Sequence, residues 1–425
     1  MLRSKFSSPC LWAAALVMLL VRPADAQVGP SRLDRNNDQS FRAGTMTMDG
    51  LDKVDATDDG VSAHHPGIAL YTGAALFEGY DSNLDLSTTN RKGSGFTGIE
   101  GGAGAIIKRD GSETTMAVRG TEQRYNLGYR PDRWDAGTYL DHHVALENGM
   151  KLTVGGFYYR DEIETDRSQR YAAYLSLDRE GDTQDTFVRV RSLHRNYLNG
   201  VGTTLPEGTI TDVDTSFSNT RTELVAGALL MKDQRLAPFV QVGLASIDFT
   251  NQINTDVLNR DSREAFVISG VRLRFNTSFY ADLGGRLNTR SISDSNIRNH
   301  SSAFFDGKLV WEPNKYDSIE LSVDRTNQDP LTTGALFSEE TAVRFALKFK
   351  PVPRIHTSLE TGFIRPDQIG VGFHFDERYV EGKVGYAFAP RAEIFVFGKA
   401  ADYTNSQTRE HADDFRLGAG IKIRN

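Results

Sequence analysis

The fold class is decided by the segment Phe415-Arg416-Leu417-Gly418-Ala419-Gly420-Ile421-Lys422-Ile423-Arg424, in which apolar residues alternate with polar residues and glycines. Successive side chains of a β-strand point to opposite faces, so one face of this segment is apolar and the other is polar. Such a strand suits a wall between lipid and a water-filled interior. The segment therefore predicts one strand of a transmembrane β-barrel.

The same alternation recurs from about residue 67 to the C-terminus. It yields about 18 candidate strands (16–18), each occupying about 20 residues together with its connection. Short turns such as Arg109-Asp110-Gly111-Ser112 alternate with longer polar connections such as Asn199 to Thr215. This pattern predicts an all-β fold over residues 67–425, an antiparallel up-and-down barrel. A soluble β-sandwich or β-propeller is the structural alternative, but the candidate strands are longer than those of soluble sheets.

The N-terminus indicates export. Arg3 and Lys5 precede the apolar run Leu11 to Val21, which is followed by the small-x-small sequence Ala24-Asp25-Ala26. This order predicts a cleaved signal peptide at residues 1–26. Residues 27–66 are polar and lack a strand or helix period, which predicts a flexible periplasmic leader. We therefore expect the protein in the outer membrane of a Gram-negative bacterium, in contact with its lipid.

Composition excludes several functional classes. The formal net charge is −7, and loss of the predicted signal peptide, with its three basic and one acidic residues, would make it −9. Basic residues are scattered singly, so we expect no nucleic-acid partner. The single cysteine, Cys10, lies in the predicted signal peptide, which leaves the mature chain without thiol chemistry. A mean hydropathy of −0.42 is compatible with a barrel, because only alternate residues face lipid.

Charged residues are expected on the lumen side of several strands when the apolar face is placed toward lipid. One interpretation is that they form ion pairs that hold the interior open or partly filled. The other is a charge-biased pathway, or a surface for a polar polymer, in which arginines donate forked hydrogen bonds. The candidate lumen-lining residues are Arg189, Arg191, Arg272, Arg274, Arg344, Lys348, Glu320, Asp324, Arg416 and Lys422.

Aromatic residues near the strand ends have two interpretations. Most are expected to anchor the barrel at the membrane interfaces, as aromatic girdles do. A minority could line a path for sugars, because an aromatic face stacks on the apolar face of a pyranose ring. The tyrosines concerned are Tyr71, Tyr80, Tyr125, Tyr139, Tyr158, Tyr171, Tyr197 and Tyr403.

Catalytic and metal-binding motifs are weak. The nine histidines form no HExxH motif and no His-x-His pair. We therefore predict no enzyme activity, no cofactor and no metal site. A barrel hydrolase that assembles Ser, His and Asp or Asn from separate strands remains an alternative, because geometry rather than spacing defines such a site.

The segment Gly67 to Leu84 resembles the opening strand of the putative β-barrel porin type 2 family. A small and apolar alternation there ends in Tyr80-Asp81-Ser82-Asn83, an aromatic-Asp-x-Asn sequence. The overall layout, with a signal, a short leader and strands to the end, is similar too. The resemblance implies an outer-membrane barrel. Several members of the family are associated with exopolysaccharide or capsule loci and are thought to help polymer cross the outer membrane. The resemblance carries over no catalytic residues.

Three functions follow as hypotheses. The first is export of an extracellular polysaccharide, in concert with periplasmic polysaccharide-export proteins and inner-membrane partners. The second is a general diffusion porin for small hydrophilic solutes. The third is a barrel that transports nothing and serves as an adhesin or scaffold. A long loop folded into the lumen would favour a diffusion porin, whereas a wider bore or a removable plug would favour export.

Overall fold

Eighteen strands form one closed antiparallel sheet in the computed structural model. It describes residues 67–82, 93–126, 133–163, 166–200, 218–250, 259–294, 297–314, 316–328, 335–407, 409 and 411–424. The predicted signal peptide, the predicted leader and residues 201–215 of the predicted longest connection lie outside these residues. None of the described residues belongs to a helix of the length and apolarity needed to cross a membrane.

Each strand pairs with its neighbours in chain order, and β1 pairs with β18 to close the sheet. The predicted strand number and the predicted barrel are thus confirmed. The strands are β1 (Ile68–Asp81), β2 (Ser94–Arg109), β3 (Ser112–Tyr125), β4 (Arg133–Ala145), β5 (Met150–Ile163), β6 (Asp166–Glu180), β7 (Gln184–Gly200), β8 (Asn219–Leu230), β9 (Leu236–Phe249), β10 (Ser262–Arg274), β11 (Phe279–Ile292), β12 (His300–Trp311), β13 (Ser318–Gln328), β14 (Phe337–Val352), β15 (Ile355–Ile369), β16 (Phe373–Ala389), β17 (Ala392–Asn405) and β18 (His411–Arg424).

Contacts between distant strands identify the inner face of the barrel. The rings of Phe96 on β2 and Phe397 on β17 have centroids 6.5 Å apart, although β18 and β1 lie between their strands. Three strand spacings separate the two backbones by about 14 Å along the wall. Side chains converge in this way only on the concave side of a curved sheet. Because residues paired in register share a face of the sheet, the strand pairing then assigns each residue of the other strands to the inner or the outer face.

The outer face is apolar, as the alternation predicts. On β18 the exposed large hydrophobic side chains are Phe415, Leu417, Ile421 and Ile423, while Lys422 is buried on the inner side. Large exposed hydrophobic side chains recur on the same face of the other strands. An exposed apolar belt around a closed barrel is the surface that a lipid bilayer covers.

The two ends of the barrel differ in their connections. At one end, tight turns join the strands, and Gly111 and Gly149 adopt the left-handed φ values of +73° and +71° that these turns require. We call this the short-turn end. The opposite, long-loop end carries the longer connections, including residues 82–93 and 250–261. Most connections follow the short-long alternation predicted from sequence, but the β5–β6 and β15–β16 connections at the long-loop end have only two and three residues.

Glycines bring neighbouring strands close together. A β-carbon built at Gly270 of β10 would collide with the Leu283 carbonyl oxygen and lie 2.6 Å from the Gly284 α-carbon on β11. A β-carbon at Gly101 on the outer face of β2 would have no atom within 4 Å. The two glycines therefore differ sharply in how much room a methyl group would have.

We expect Gly270→Ala to destabilise the barrel by about 1–3 kcal/mol, because the methyl group must displace backbone of the paired strand. Gly101→Ala is the matched control and should leave the unfolding midpoint in guanidinium chloride nearly unchanged. Equal midpoints for the two variants would contradict the close approach of β10 and β11.

Candidate channel lining and its constriction

Charged residues of the inner wall are largely engaged in ion pairs. Arg272 of β10 donates from Nε and Nη2 to the two carboxylate oxygens of Asp282 on β11, at 2.6 and 2.7 Å. Both side chains are at least nine-tenths buried. The Arg272 guanidinium also lies 4.5 Å from the ring centroid of Tyr280. Sequence placed Arg272 on the inner face, but its two partners come from the register of β11.

A chain of alternating charges crosses β7, β8 and β10. Arg191 lies 3.1 Å from Glu223, Arg221 lies 2.9 Å from the same carboxylate, and Arg221 lies 2.9 Å from Glu264. Pairing on both sides satisfies the buried carboxylate of Glu223. Of these four residues, sequence reasoning had singled out only Arg191. The inward positions of Arg221, Glu223 and Glu264 follow from strand alternation and could have been found by it.

The remaining predicted lining residues fall into two groups. Asp324 and Arg344 pair with each other at 3.2 Å, Glu320 pairs with Lys308 at 2.5 Å, and Arg416 pairs with Asp81 at 2.7 Å. The other four share inner-face positions. Arg189 is half-buried, Arg274 lies 4.0 Å from Asp233, Lys348 is exposed and Lys422 is buried.

Among the inner-face lysines, Lys348, Lys383 and Lys422 have no carboxylate within ion-pairing distance in the described residues. Ser358 of β15 pairs in register with Lys348 of β14 on one side and with Lys383 of β16 on the other. Two strand spacings therefore separate Lys348 and Lys383 by about 10 Å along the wall. Glu360 and Glu381 lie two residues from Ser358 and Lys383 on the same face, so this part of the inner wall carries both signs of charge.

Replacing both Lys348 and Lys383 by Glu should shift ion selectivity toward cations, because four units of charge change on the channel wall. The measurement is the reversal potential in a salt gradient across a planar bilayer. The control reverses Arg109 and Arg179, which are exposed on the outer face at the same end of the barrel. An equal shift in the control would contradict the inward placement of the two lysines.

The wall between β12 and β13 is incomplete. These strands pair over only five residues each, Gly307 to Trp311 with Ile319 to Val323. Pairing stops there, although β12 continues to pair with β11 up to His300 and β13 continues to pair with β14 up to Gln328. The two sides of the barrel therefore separate toward the long-loop end.

Beyond this point, the ends of β13 and β14 pass inside β12. Arg325, on the outer-parity face of β13, lies 4.3 Å from the ring centroid of Phe304, on the inner face of β12. Glu339 of β14 likewise contacts His300 of β12 at 3.1 Å, and Phe337 lies 4.4 Å from the Arg290 guanidinium of β11. If β12 and β13 were paired along their whole length, outer-face residues of β13 and β14 could not contact inner-face residues of β11 and β12. We call residues 324–328 and 337–341 the inward segment.

An ion-pair cluster holds the inward segment. Arg325 donates from Nη2 to Glu339 at 2.8 Å and to Asp367 of β15 at 2.9 Å. Phe337 also packs with Ile292 and Leu336 in a buried apolar cluster. Arg325, Glu339 and Asp367 would lie on the outer face if their strands stayed in the wall, where a charged side chain is unfavourable to a degree that falls toward the membrane interfaces. Placing this end inside removes that cost and narrows the long-loop mouth.

The structure corrects part of the tyrosine prediction. Tyr80, Tyr158 and Tyr171 are exposed on the outer face, as girdle residues are. Four others instead point inward, whereas the side chain of Tyr197 lies outside the described part of the structure. Strand alternation outweighs position near a strand end in deciding where a ring points. The inward tyrosines are Tyr71, Tyr125, Tyr139 and Tyr403.

The described residues contain no group of three or more His, Cys, Asp or Glu side chains arranged to hold a metal ion. The inner wall instead offers ion-paired charges, a few unpaired cations and aromatic rings. This combination suits the passage or weak binding of polar molecules, because the fixed pairs keep the wall hydrated without a strong net field.

The chain is similar to one protein family and to solved structures of outer-membrane proteins. The model of the family described as putative beta-barrel porin 2 matches residues 166–425. No curated protein matches the chain. Similar solved structures include OpdK of Pseudomonas aeruginosa, with 12% identity over 86% of this chain and 100% of that one and a TM-score of 0.45. They also include OccK2 (OpdF) of the same organism, with 10% identity, 84% and 97% coverage and a TM-score of 0.46.

Proposed function

The chain belongs to the putative beta-barrel porin 2 family, and from this premise we propose that its outer-membrane, porin-like barrel helps an extracellular polysaccharide cross the outer membrane. The observation that carries the proposal is the inner wall, where paired charges alternate with aromatic rings. The chain of Arg191, Glu223, Arg221 and Glu264, with two charges of each sign, provides hydrogen-bonding groups without holding a charged polymer tightly.

Export would use partners on the periplasmic side. A passive channel lets the polymer move only down its concentration gradient, so export in the cell would depend on periplasmic and inner-membrane polysaccharide-export proteins that supply the polymer on the periplasmic side. The inward segment then acts as a constriction that the polymer must pass or displace. The proposal includes no catalytic step.

The test is release of a labelled polymer from proteoliposomes. Vesicles that contain the purified barrel and entrapped fluorescent polygalacturonate are compared with protein-free vesicles and with vesicles that contain Arg325→Ala. We expect release from the wild-type vesicles, and faster release from the variant because its constriction is weakened. Retention of the polymer in both protein-containing samples would overturn polysaccharide passage.

A general diffusion porin for small hydrophilic solutes is the second candidate. The inward segment favours it, because a structure that narrows the lumen limits the size of the solutes that pass. The same vesicles distinguish the two functions when they are loaded with a labelled monosaccharide. Release of the monosaccharide with retention of the polymer, also in Arg325→Ala, would establish the diffusion porin.

A further inference from the structure

We propose that a cavity in the inner wall is a binding site for acidic pyranose units, that is, sugar rings that carry a carboxylate. The cavity has a volume of about 510 Å³ and lies against β16, β17, β18, β1, β2, β3 and β4. Its size falls within the range of roughly 300–1,000 Å³ typical of small-molecule sites. The proposal rests on the barrel being a channel for saccharides, and it adds the ligand class and the residues that recognise it.

Four phenylalanines form the apolar part of the cavity. In one register row, Phe397 pairs with Gly418 on β18, and Gly79 on β1 pairs with Phe96 on β2. The next row toward the short-turn end has Phe395 opposite Gly420, which is paired with Phe77. Two adjacent rows of the wall therefore carry aromatic rings beside glycines.

The glycines allow these rings to lie along the wall. A β-carbon at Gly98 would collide with the ring of Phe77, and one at Gly418 would collide with the ring of Phe397. Each ring thus lies over its neighbouring glycine and does not project straight across the lumen. The C–H groups of a pyranose ring carry partial positive charge and are attracted to the negative face of an aromatic ring.

Charged residues border the aromatic rows on both sides. Toward the long-loop end, Arg416 pairs with Asp81, and toward the short-turn end Lys422 pairs in register with Ala75 and lies two residues from Gly420. Lys383 places its ammonium 4.4 Å from the ring centroid of Phe395. Lys422 lies in one register row with Glu393 and Glu100, but these carboxylates form their ion pairs with Arg424 and Arg119. Neither Lys383 nor Lys422 has a carboxylate within ion-pairing distance among the described residues, so both can bind a ligand carboxylate.

The whole lining excludes simpler ligand classes. It carries four basic side chains and two acidic ones, and Asp81, the partner of Arg416, brings the net charge to +1, which favours an anion. An inorganic anion would leave the phenylalanine faces unused, and a neutral sugar would leave the two lysines unused. The cavity is also lined by Thr121, Gln123 and Asp135, whose side chains can form hydrogen bonds with ligand hydroxyl groups. An aromatic acid has fewer hydroxyl groups than a sugar and would leave these side chains unused. An acidic sugar uses all three kinds of group.

Binding is tested by isothermal titration calorimetry on the purified full-length protein in detergent, independently of transport. The probes are trigalacturonate, galacturonate, maltotriose and benzoate. We expect trigalacturonate to bind, maltotriose to bind more weakly because it lacks carboxylates, and benzoate to bind more weakly because it lacks hydroxyls. Tighter binding of the trimer than of the monomer would point to a polymer as the source of the sugar, and equal binding to a free sugar acid.

Four variants locate the site. Lys422→Met and Phe397→Leu should each weaken trigalacturonate binding by about tenfold, the effect of losing roughly 1.4 kcal/mol. Lys348→Met removes another unpaired inner lysine, and Phe239→Leu removes another inner phenylalanine that packs against glycines, Gly270 and Gly284. Neither control residue lines the cavity, so neither should change the affinity. A heat-modifiable gel shift verifies that each variant is folded.

Absence of trigalacturonate binding to the folded wild type would overturn the proposal. So would wild-type affinity in both Lys422→Met and Phe397→Leu, or binding of benzoate as tight as that of the acidic sugar. If calorimetry shows binding at this site while vesicles retain polygalacturonate, the site stands and polysaccharide passage fails. If vesicles release the polymer and calorimetry shows no binding, passage stands and the site fails.

Discussion

Replacing Arg325 by alanine is expected to enlarge the single-channel conductance of the barrel. Arg325 donates to both Glu339 and Asp367 and lies over Phe304, so it connects three strands across the incomplete wall. Without Arg325, His300 is the one residue of the described structure that remains within ion-pairing distance of the buried Glu339 carboxylate. The inward segment should then populate positions farther from the lumen axis. Larger current steps in a planar bilayer would report this change.

The same variant should lower the free energy of unfolding by about 2–3 kcal/mol. This is below the roughly 3–5 kcal/mol for breaking a fully buried pair, because a quarter of the Arg325 side chain is exposed. Arg365→Ala is the matched control, since Arg365 forms a two-pronged pair with Asp376 at the same end but on β15 and β16. An equal rise in conductance for Arg365→Ala would contradict a specific role of the inward segment.

The largest loss of stability is expected for Arg272→Ala. The change leaves the Asp282 carboxylate, which is nine-tenths buried, without its two charged hydrogen bonds and removes the contact with Tyr280. Breaking a buried pair from one side costs about 3–5 kcal/mol. Unfolding in guanidinium chloride, followed by circular dichroism, measures the change.

Two comparisons show whether pairing causes that loss. Arg124→Ala removes a partner of Glu122 from a pair in which both side chains are exposed, so it should cost less than about 1 kcal/mol. The double variant Arg272→Met with Asp282→Leu removes both buried charges and should recover much of the stability. A double variant no more stable than Arg272→Ala would show that packing, rather than an unpaired carboxylate, dominates.

Sequence alone predicted the parts of the fold that depend on strand period. Alternation over Phe415 to Arg424 correctly placed the outer face of β18, and the same rule gave 18 strands. It also placed Arg272, Arg344 and Arg416 on the lumen-facing side of their strands. Pairing partners such as Asp282 and Glu223 depend on the register between strands, which a single strand does not specify.

The inward segment was beyond the simple rule, although a signal for it exists. Continuing the lipid-facing series Phe345, Val343 and Thr341 toward the long-loop end brings Glu339 to the outer face, where a charge is costly. Asp367 breaks the pattern directly opposite Glu339, and Arg325 breaks it opposite Thr341. Three neighbouring violations could have indicated that this part of the wall does not face lipid. The strand pairing that ends at Gly307 cannot be read from sequence.

The central claim is that this barrel of the porin family encloses a conducting lumen narrowed by the inward segment. Its most direct test is single-channel recording from purified, folded protein in a planar bilayer, with Arg325→Ala recorded beside the wild type. We predict steady current steps for the wild type and larger steps for the variant. Silence of both proteins, with folding verified by a heat-modifiable gel shift, would contradict the claim.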